Sequence, residues 1–245
     1  MIASLPMYWR DENAPVWQAF WEVFQSFELG APELTSPEDL PKNWSSHWLR
    51  PDLYLSMTCS LPFRSVLKEK VQYVGTLGFG DERHPGHYRS VAVIRPSTDL
   101  TKPLTLAYNS ADSQSGWAAS QSSADHFRSL RFGDFVETGS HASSLSAVAR
   151  ADADIAFLDE VTWRILQKFD PTAVEVVPIG ETETTPALPL ITALDRDPAP
   201  IRSALARTVA AFEPKDTEAL GGRISFQILT EAEYFAVPNP SPLLT

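Results

Sequence analysis

Residues 106–117 read LAYNSADSQSGW, and how this stretch is interpreted decides what fold the chain can adopt. The apolar segment Leu104 to Tyr108 reads as a strand. Small polar residues follow, and Trp117 to Leu130 has helix-forming character. A strand that enters a helix through a Ser- and Gly-containing turn leaves backbone N–H groups unpaired at the helix start, where an anion can sit. Ser113, Ser115 and the backbone of Gly116 are the candidate ligand-binding groups here, because short hydroxyls donate and glycine lets backbone approach closely. A helix terminus contributes only ~0.3–1 kcal/mol toward a nearby negative charge, so a pocket needs further groups. A simpler alternative is that Asp112 or Ser113 only caps the helix.

Working outward, the same grammar recurs. Phe135 to Glu137 reads as a strand leading into Thr138-Gly139-Ser140-His141, with Ala142 to Arg150 helical, so His141 falls at a second strand-to-helix turn. Asp154 to Leu158 is a buried strand, and Asp159 precedes the helix Val161 to Phe169, where it either caps that helix or accepts a hydrogen bond from a ligand. Toward the N-terminus, Ile2 to Leu5 is a short strand with Tyr8 just beyond its end, and Leu53 to Met57 is a buried strand running into Thr58-Cys59-Ser60. Ligands gather outside the carboxyl ends of strands in open α/β sheets, which places Tyr8 among the candidates, and Thr58 opens another strand-end polar turn. Pro15 to Leu29 is an amphipathic helix with Val16, Phe20, Val23, Phe24 and Phe27 at helical spacing and Trp17 and Trp21 widening the apolar face, a stripe that suits a core better than a cofactor site. Val71 to Leu77, Tyr88 to Arg95, Val174 to Ile179 and Leu190 to Leu194 read as further strands, and Ile201 to Phe212 as a helix. The segment after Pro238 reads as disordered or loosely packed.

Several classes are disfavoured. With 245 residues, 43% of them hydrophobic, the chain can bury one large core or two lobes of about 100 residues. Its net charge of −11, with no basic cluster, argues against nucleic-acid and anionic-membrane partners. The single Cys59 excludes an internal disulfide. The run GTLGFG (75–80) has its glycines in the wrong order for a dinucleotide fingerprint. His84 and His87 lie near Asp81 and Glu82, but Pro85-Gly86 between them favours a solvated loop over a metal site. No motif implies a cofactor. No nucleophile elbow, P-loop or zincin motif is present, which weakens an enzymatic reading. Nor does the N-terminus have the basic region and apolar run of a secretory leader or a membrane span, so the sequence as it stands reads as cytoplasmic, or as periplasmic if a leader has been removed.

The pieces SLPMY (4–8), TCSLPF (58–63), YRSVAVIR (88–95), SQSGW (113–117), TGSH (138–141), ADIAFLDEVTW (153–163) and LPLITA (188–193), in that order, resemble the substrate-binding proteins of ABC importers for phosphate, phosphite and phosphonate. These belong to the type II periplasmic binding proteins. The resemblance implies an α/β fold of two lobes closing over a ligand cleft, with residues 1–94 plus 188–245 in the first lobe and 95–187 in the second. It further implies that Ser113, Gln114, Ser115 and His141 hold an anionic head group, that Tyr8, Thr58 and Tyr88 cover its other side, and that Asp159 holds a polar group of the ligand. Gln114 stands where the family carries a hydroxyl residue. The implied partners are a small-molecule ligand and an ABC-transporter permease, with the receptor itself a monomer. The alternative is a cytoplasmic lyase on the same fold acting on a small carboxylate.

Overall fold

The computed structural model describes residues 1–80, 84–122 and 127–242. In chain order the strands are β1 Ile2–Ser4, β2 Leu53–Met57, β3 Val71–Phe79, β4 His87–Tyr88, β5 Ser90–Ile94, β6 Leu104–Tyr108, β7 Phe132–Glu137, β8 Ile155–Asp159, β9 Val177–Glu181, β10 Thr185–Pro186, β11 Pro189–Ala193 and β12 Ile224–Gln227. The helices are α1 Ala14–Phe27, α2 Trp44–Trp48, α3 Ser60–Arg64, α4 His141–Ala149, α5 Glu160–Phe169, α6 Ala199–Ala211 and α7 Glu231–Ala236. Two compact α/β units result: Met1–His87 with Pro186–Val237, and Tyr88–Thr185 with Pro238–Thr245. No helix among the described residues is long and apolar enough to cross a membrane.

The first unit is built on a five-stranded sheet in the order β1-β2-β11-β3-β12. Strand β2 is buried at all five positions, so it reads as a continuous apolar run rather than an alternating one. It pairs parallel with β1 (Ala3 opposite Leu55) and antiparallel with β11 (Ile191 opposite Ser56), so both ends of the chain meet in this sheet. Trp17, Phe20, Trp21 and Phe24 of α1 are buried, with Trp17 edge-on to Phe79 at 6.2 Å. Phe63 packs between Tyr73 and Tyr234, at centroid distances of 5.7 and 5.1 Å. Strand β12 and helix α7 carry no clear signal in the sequence. Strand β12 is held by antiparallel pairing with β3, while α7 starts at a Thr230–Glu233 capping box and its Tyr234 donates to the Ala187 carbonyl at 2.9 Å.

The glycines of GTLGFG lie within and just after β3, and two of them serve the sheet. A Cβ at Gly75 would stand 2.4 Å from the Phe226 ring, and one at Gly78 would stand 2.7 Å from the Ser225 hydroxyl. Gly75→Ala is therefore expected to destabilise the fold by ~1–3 kcal/mol through overpacking. An unchanged urea midpoint would show that Phe226 can move aside.

The second unit has the sheet order β7-β6-β8-β5-β9, with β6 parallel to β7 and β8, and β5 antiparallel to β8 and β9. Both faces are covered. Val91, Val93, Ala156 and Leu158 join Leu145, Val148, Trp163 and Leu166 in one core, while Ala92, Ile94, Ile155 and Phe157 join Leu106, Tyr108 and Trp117 in the other. Strand β5 was assigned to the first lobe on sequence grounds, yet its five residues pair with Ile155–Asp159, and this places Tyr88–Ile94 in the second unit. The chain leaves the first unit after His87 and returns at Pro186.

Three local expectations need correction. The helix read into Trp117 to Leu130 is not formed as such: a π-turn, Gln114–Ala118, passes into a 3-10 turn, Ala119–Gln121, and residues 123–126 lie outside the described part. The strand read at Val174 to Ile179 begins only at Val177, because Pro171–Glu175 is a 3-10 turn capped by Asp170. The segment after Pro238 is anchored: the backbone of Ser241 makes three hydrogen bonds to Trp117 and Gln121 in the second unit.

Candidate functional site

In the second unit, β6 and β7 run parallel, and the chain turns outward from the carboxyl end of each. After β6, Ser113 adopts an extended backbone and its Oγ accepts from the Gly116 N–H at 3.0 Å, so Ser113 is the cap. Its carbonyl accepts from the Ala118 N–H at 3.0 Å, a five-residue spacing that widens the turn into a π-turn, a form that recurs at functional sites. Gly116 is needed for a different contact from the one its sequence context suggests. A Cβ there would lie 2.0 Å from the Asn109 side-chain oxygen, so the close approach is Asn109's own. Asn109 is the residue the sequence reading missed, and its buried Oδ1 has no hydrogen-bond partner among the described residues.

The second turn is tied to the first through the backbone. The Thr138 N–H donates to the Tyr108 carbonyl at 2.9 Å, and the Gly139 N–H donates to that of Asn109 at 3.0 Å. Gly139 takes φ +85, a left-handed conformation that favours glycine, and turns the chain so that Ser140 caps α4 with His141 as its first residue. The result brings residues 26 apart in sequence into contact: Ser115 Oγ lies 2.8 Å from His141 Nε2. Ser113, Gln114 and Ser115 are all buried. Burial holds the His141 pKa down at about 4, with the Phe157 backbone pulling it upward less strongly. The imidazole is therefore neutral at pH 7.

The remaining candidates divide between the units. Asp159 is buried at the end of β8, where its Oδ1 accepts from the N–H groups of Val161 at 2.8 Å and Thr162 at 3.1 Å. That geometry is a helix cap, and Asp159→Ala is expected to cost ~0.5–2 kcal/mol of stability. Asp159→Asn keeps the cap and removes the charge. A loss of ligand affinity in Asp159→Asn with stability retained would show that the carboxylate also serves the ligand. Tyr88 is buried at the start of the second unit. In the first unit, Tyr8 ends a 3-10 turn beyond β1, buried edge-on to Phe79 at 4.9 Å, and its carbonyl receives Asn13 Nδ2. Thr58 follows β2, fully buried, and its N–H donates to the Pro189 carbonyl at 3.0 Å. Of the suggested metal ligands, Asp81 and Glu82 lie outside the described residues, and no group of three or more potential ligands occurs among the described ones.

The model of the family of phosphonate ABC-transporter periplasmic substrate-binding proteins matches residues 67–234, more than half of the chain. The chain belongs to that family. No curated protein matches this phosphonate-family receptor in sequence. Among solved structures, it is similar to a binding-protein component of an ABC phosphonate transporter from Pseudomonas aeruginosa, with TM-score 0.65 and 12% identity over 96% of this chain and 82% of the other. It is equally similar to PhnD1 from Prochlorococcus marinus in complex with methylphosphonate, with TM-score 0.65 and 14% identity over 95% and 94%. XAC2383 from Xanthomonas citri, bound to chloride, follows at TM-score 0.63 and 15% identity over 95% and 92%. At these identities the likeness establishes the type II periplasmic-binding-protein fold, and the family match establishes a solute receptor of ABC import rather than the lyase considered from sequence.

Proposed function

We propose that this receptor binds a small oxyanion of the phosphonate or phosphate class in its second unit, through Ser113, Gln114, Ser115, Gly116 and His141, with Tyr88 and Asp159 serving the rest of the ligand. The observation that carries the proposal is the 2.8 Å contact between Ser115 Oγ and His141 Nε2, which brings two strand-end turns into one cluster of short donors. A neutral imidazole suits the task. When Nε2 carries the proton it donates to Ser115 and leaves the serine hydroxyl hydrogen for an anionic oxygen; when Nε2 is unprotonated it accepts that hydrogen and the pair must re-form around the ligand. A bound anion would in turn raise the histidine pKa. Tyr8 and Thr58 keep the ligand-contact role implied by the family resemblance as part of the proposal, and Thr58→Val tests it by removing one hydroxyl.

The receptor is further proposed to act as a monomer in the periplasm, delivering ligand to an ABC permease and performing no chemistry on it. Calorimetric titration against methylphosphonate, phosphate, a sulfonate and a carboxylate tests the ligand class, with mass spectrometry of the recovered ligand. Saturable binding of methylphosphonate or phosphate, with the ligand recovered unchanged, is the expected result. Binding confined to the carboxylate would overturn the ligand class, and a chemically altered ligand would restore the enzymatic reading.

A further inference from the structure

The chain leaves its first unit at the end of α7 and, from Pro238, belongs to the second unit again. There the backbone of one residue, Ser241, meets two side chains of the segment that carries the candidate site. Its carbonyl accepts from Trp117 Nε1 at 3.0 Å and from Gln121 Nε2 at 3.1 Å, and its N–H donates to Gln121 Oε1 at 2.8 Å. Gln121 thus pairs with Ser241 as a neighbouring strand would, using both halves of its amide. Trp117 lies inside the π-turn itself, one residue after Gly116, and its ring is further held by Tyr108 and Phe135, both at 5.5 Å between centroids.

The turn needs such support because of what it is. It comprises five residues in a π form and three in a 3-10 form, neither of which has the uninterrupted ladder that stabilises an α-helix. Its internal ties include the Gly116 N–H to Ser113 Oγ, the Ala118 N–H to the Ser113 carbonyl, the Ala119 N–H to the Gln114 and Gly116 carbonyls, and the Ser120 hydroxyl to the Trp117 carbonyl. Trp117 within the turn and Gln121 at its end both bond to one residue of the tail, Ser241.

We propose that residues 238–242 act as a positioning strap, holding Trp117 and Gln121 so that Ser113, Ser115 and Gly116 keep their binding geometry. Its effect on affinity rests on the ligand reading given above, whereas its effect on the turn does not. The strap acts through backbone atoms, which separates it from a side-chain effect. Ser241→Pro removes the donated N–H, while Ser241→Ala leaves all three bonds intact.

The test compares the unmodified protein, Ser241→Pro, Ser241→Ala and a chain ending at Val237. Amide hydrogen exchange is followed at Gly116, Ala118 and Ala119, and methylphosphonate and phosphate are titrated alongside. Exchange at these amides is expected to quicken by about tenfold or more in Ser241→Pro and in the shortened chain, with Ser241→Ala unchanged. Affinity for whichever probe the unmodified protein binds should fall in the same order. Should the shortened chain fail to fold, Ser241→Pro alone decides. Unchanged exchange at the three amides in Ser241→Pro overturns the strap, as does unchanged affinity despite faster exchange. If the unmodified protein binds neither probe, the ligand reading fails, and the exchange rates still decide whether the tail holds the turn.

Discussion

Ser115→Ala is expected to weaken methylphosphonate binding by roughly tenfold to more than a hundredfold, the equivalent of losing a hydrogen bond of ~1.5–3 kcal/mol to a charged acceptor. Stability should barely change. In this turn the cap is Ser113, whose Oγ accepts from Gly116, whereas the Ser115 hydroxyl meets His141. Ser113→Ala should therefore lower stability by about 1 kcal/mol, and Ser115→Ala should not. His141→Ala should lose affinity on the same scale, and the double variant should lose less than the two single losses combined, because each removes part of one shared contact. Calorimetry and melting curves on the three variants test this. If Ser115→Ala binds normally but melts early, the serine supports the turn and does not serve the ligand.

A second large effect is expected from acid. His47 is fully buried in the first unit, its Nε2 within 3.0 Å of the Ser4 hydroxyl and 3.2 Å of that of Ser56. Burial, reinforced by Arg50, lowers its pKa to about 4. The folded state thus refuses a proton that the unfolded chain accepts near pH 6.5. Stability is fully present above that value, declines as the pH falls toward about 4, and loses nothing further from this group below it. The loss from His47 is ~3 kcal/mol, set by the distance between about 4 and 6.5. His141 adds a loss of the same sign in the second unit. An anion bound beside His141 would reduce that second share, so methylphosphonate should protect the protein most in the acid range. A stability profile flat between pH 7 and 4.5, or one unaffected by His47→Gln, would contradict this reading.

Much of the fold is legible because burial on both faces writes continuous apolar runs. LYLSM at β2, IAFLD at β8 and PLITA at β11 are visible in this way, and α1 is visible from its aromatic spacing. The same property hides which sheet a strand joins. SVAVI at β5 is buried at every position, so nothing in its pattern distinguishes pairing with β8 from pairing in the first unit. Other features depend on partners remote in sequence. Gly75 answers to Phe226, and the tail answers to Gln121, 120 residues earlier. The candidate site was legible as two turns, Ser113–Gly116 and Thr138–His141, because hydroxyls and glycine after a strand mark a helix start, where they cap the helix or present donors to an anion, and Ser113 and Ser140 do cap. Their convergence was not, since it depends on β6 and β7 being parallel neighbours. Asn109 was hidden for a similar reason: its partner is the bare Cα face of a glycine seven residues away.

A crystal structure of the protein soaked with methylphosphonate tests the central claim most directly. The account predicts a phosphonate group with oxygens about 2.5–3.2 Å from Ser115 Oγ and His141 Nε2, and the Ser113 cap intact. A phosphonate bound elsewhere, with Ser115 and His141 still bonded only to each other, would contradict it.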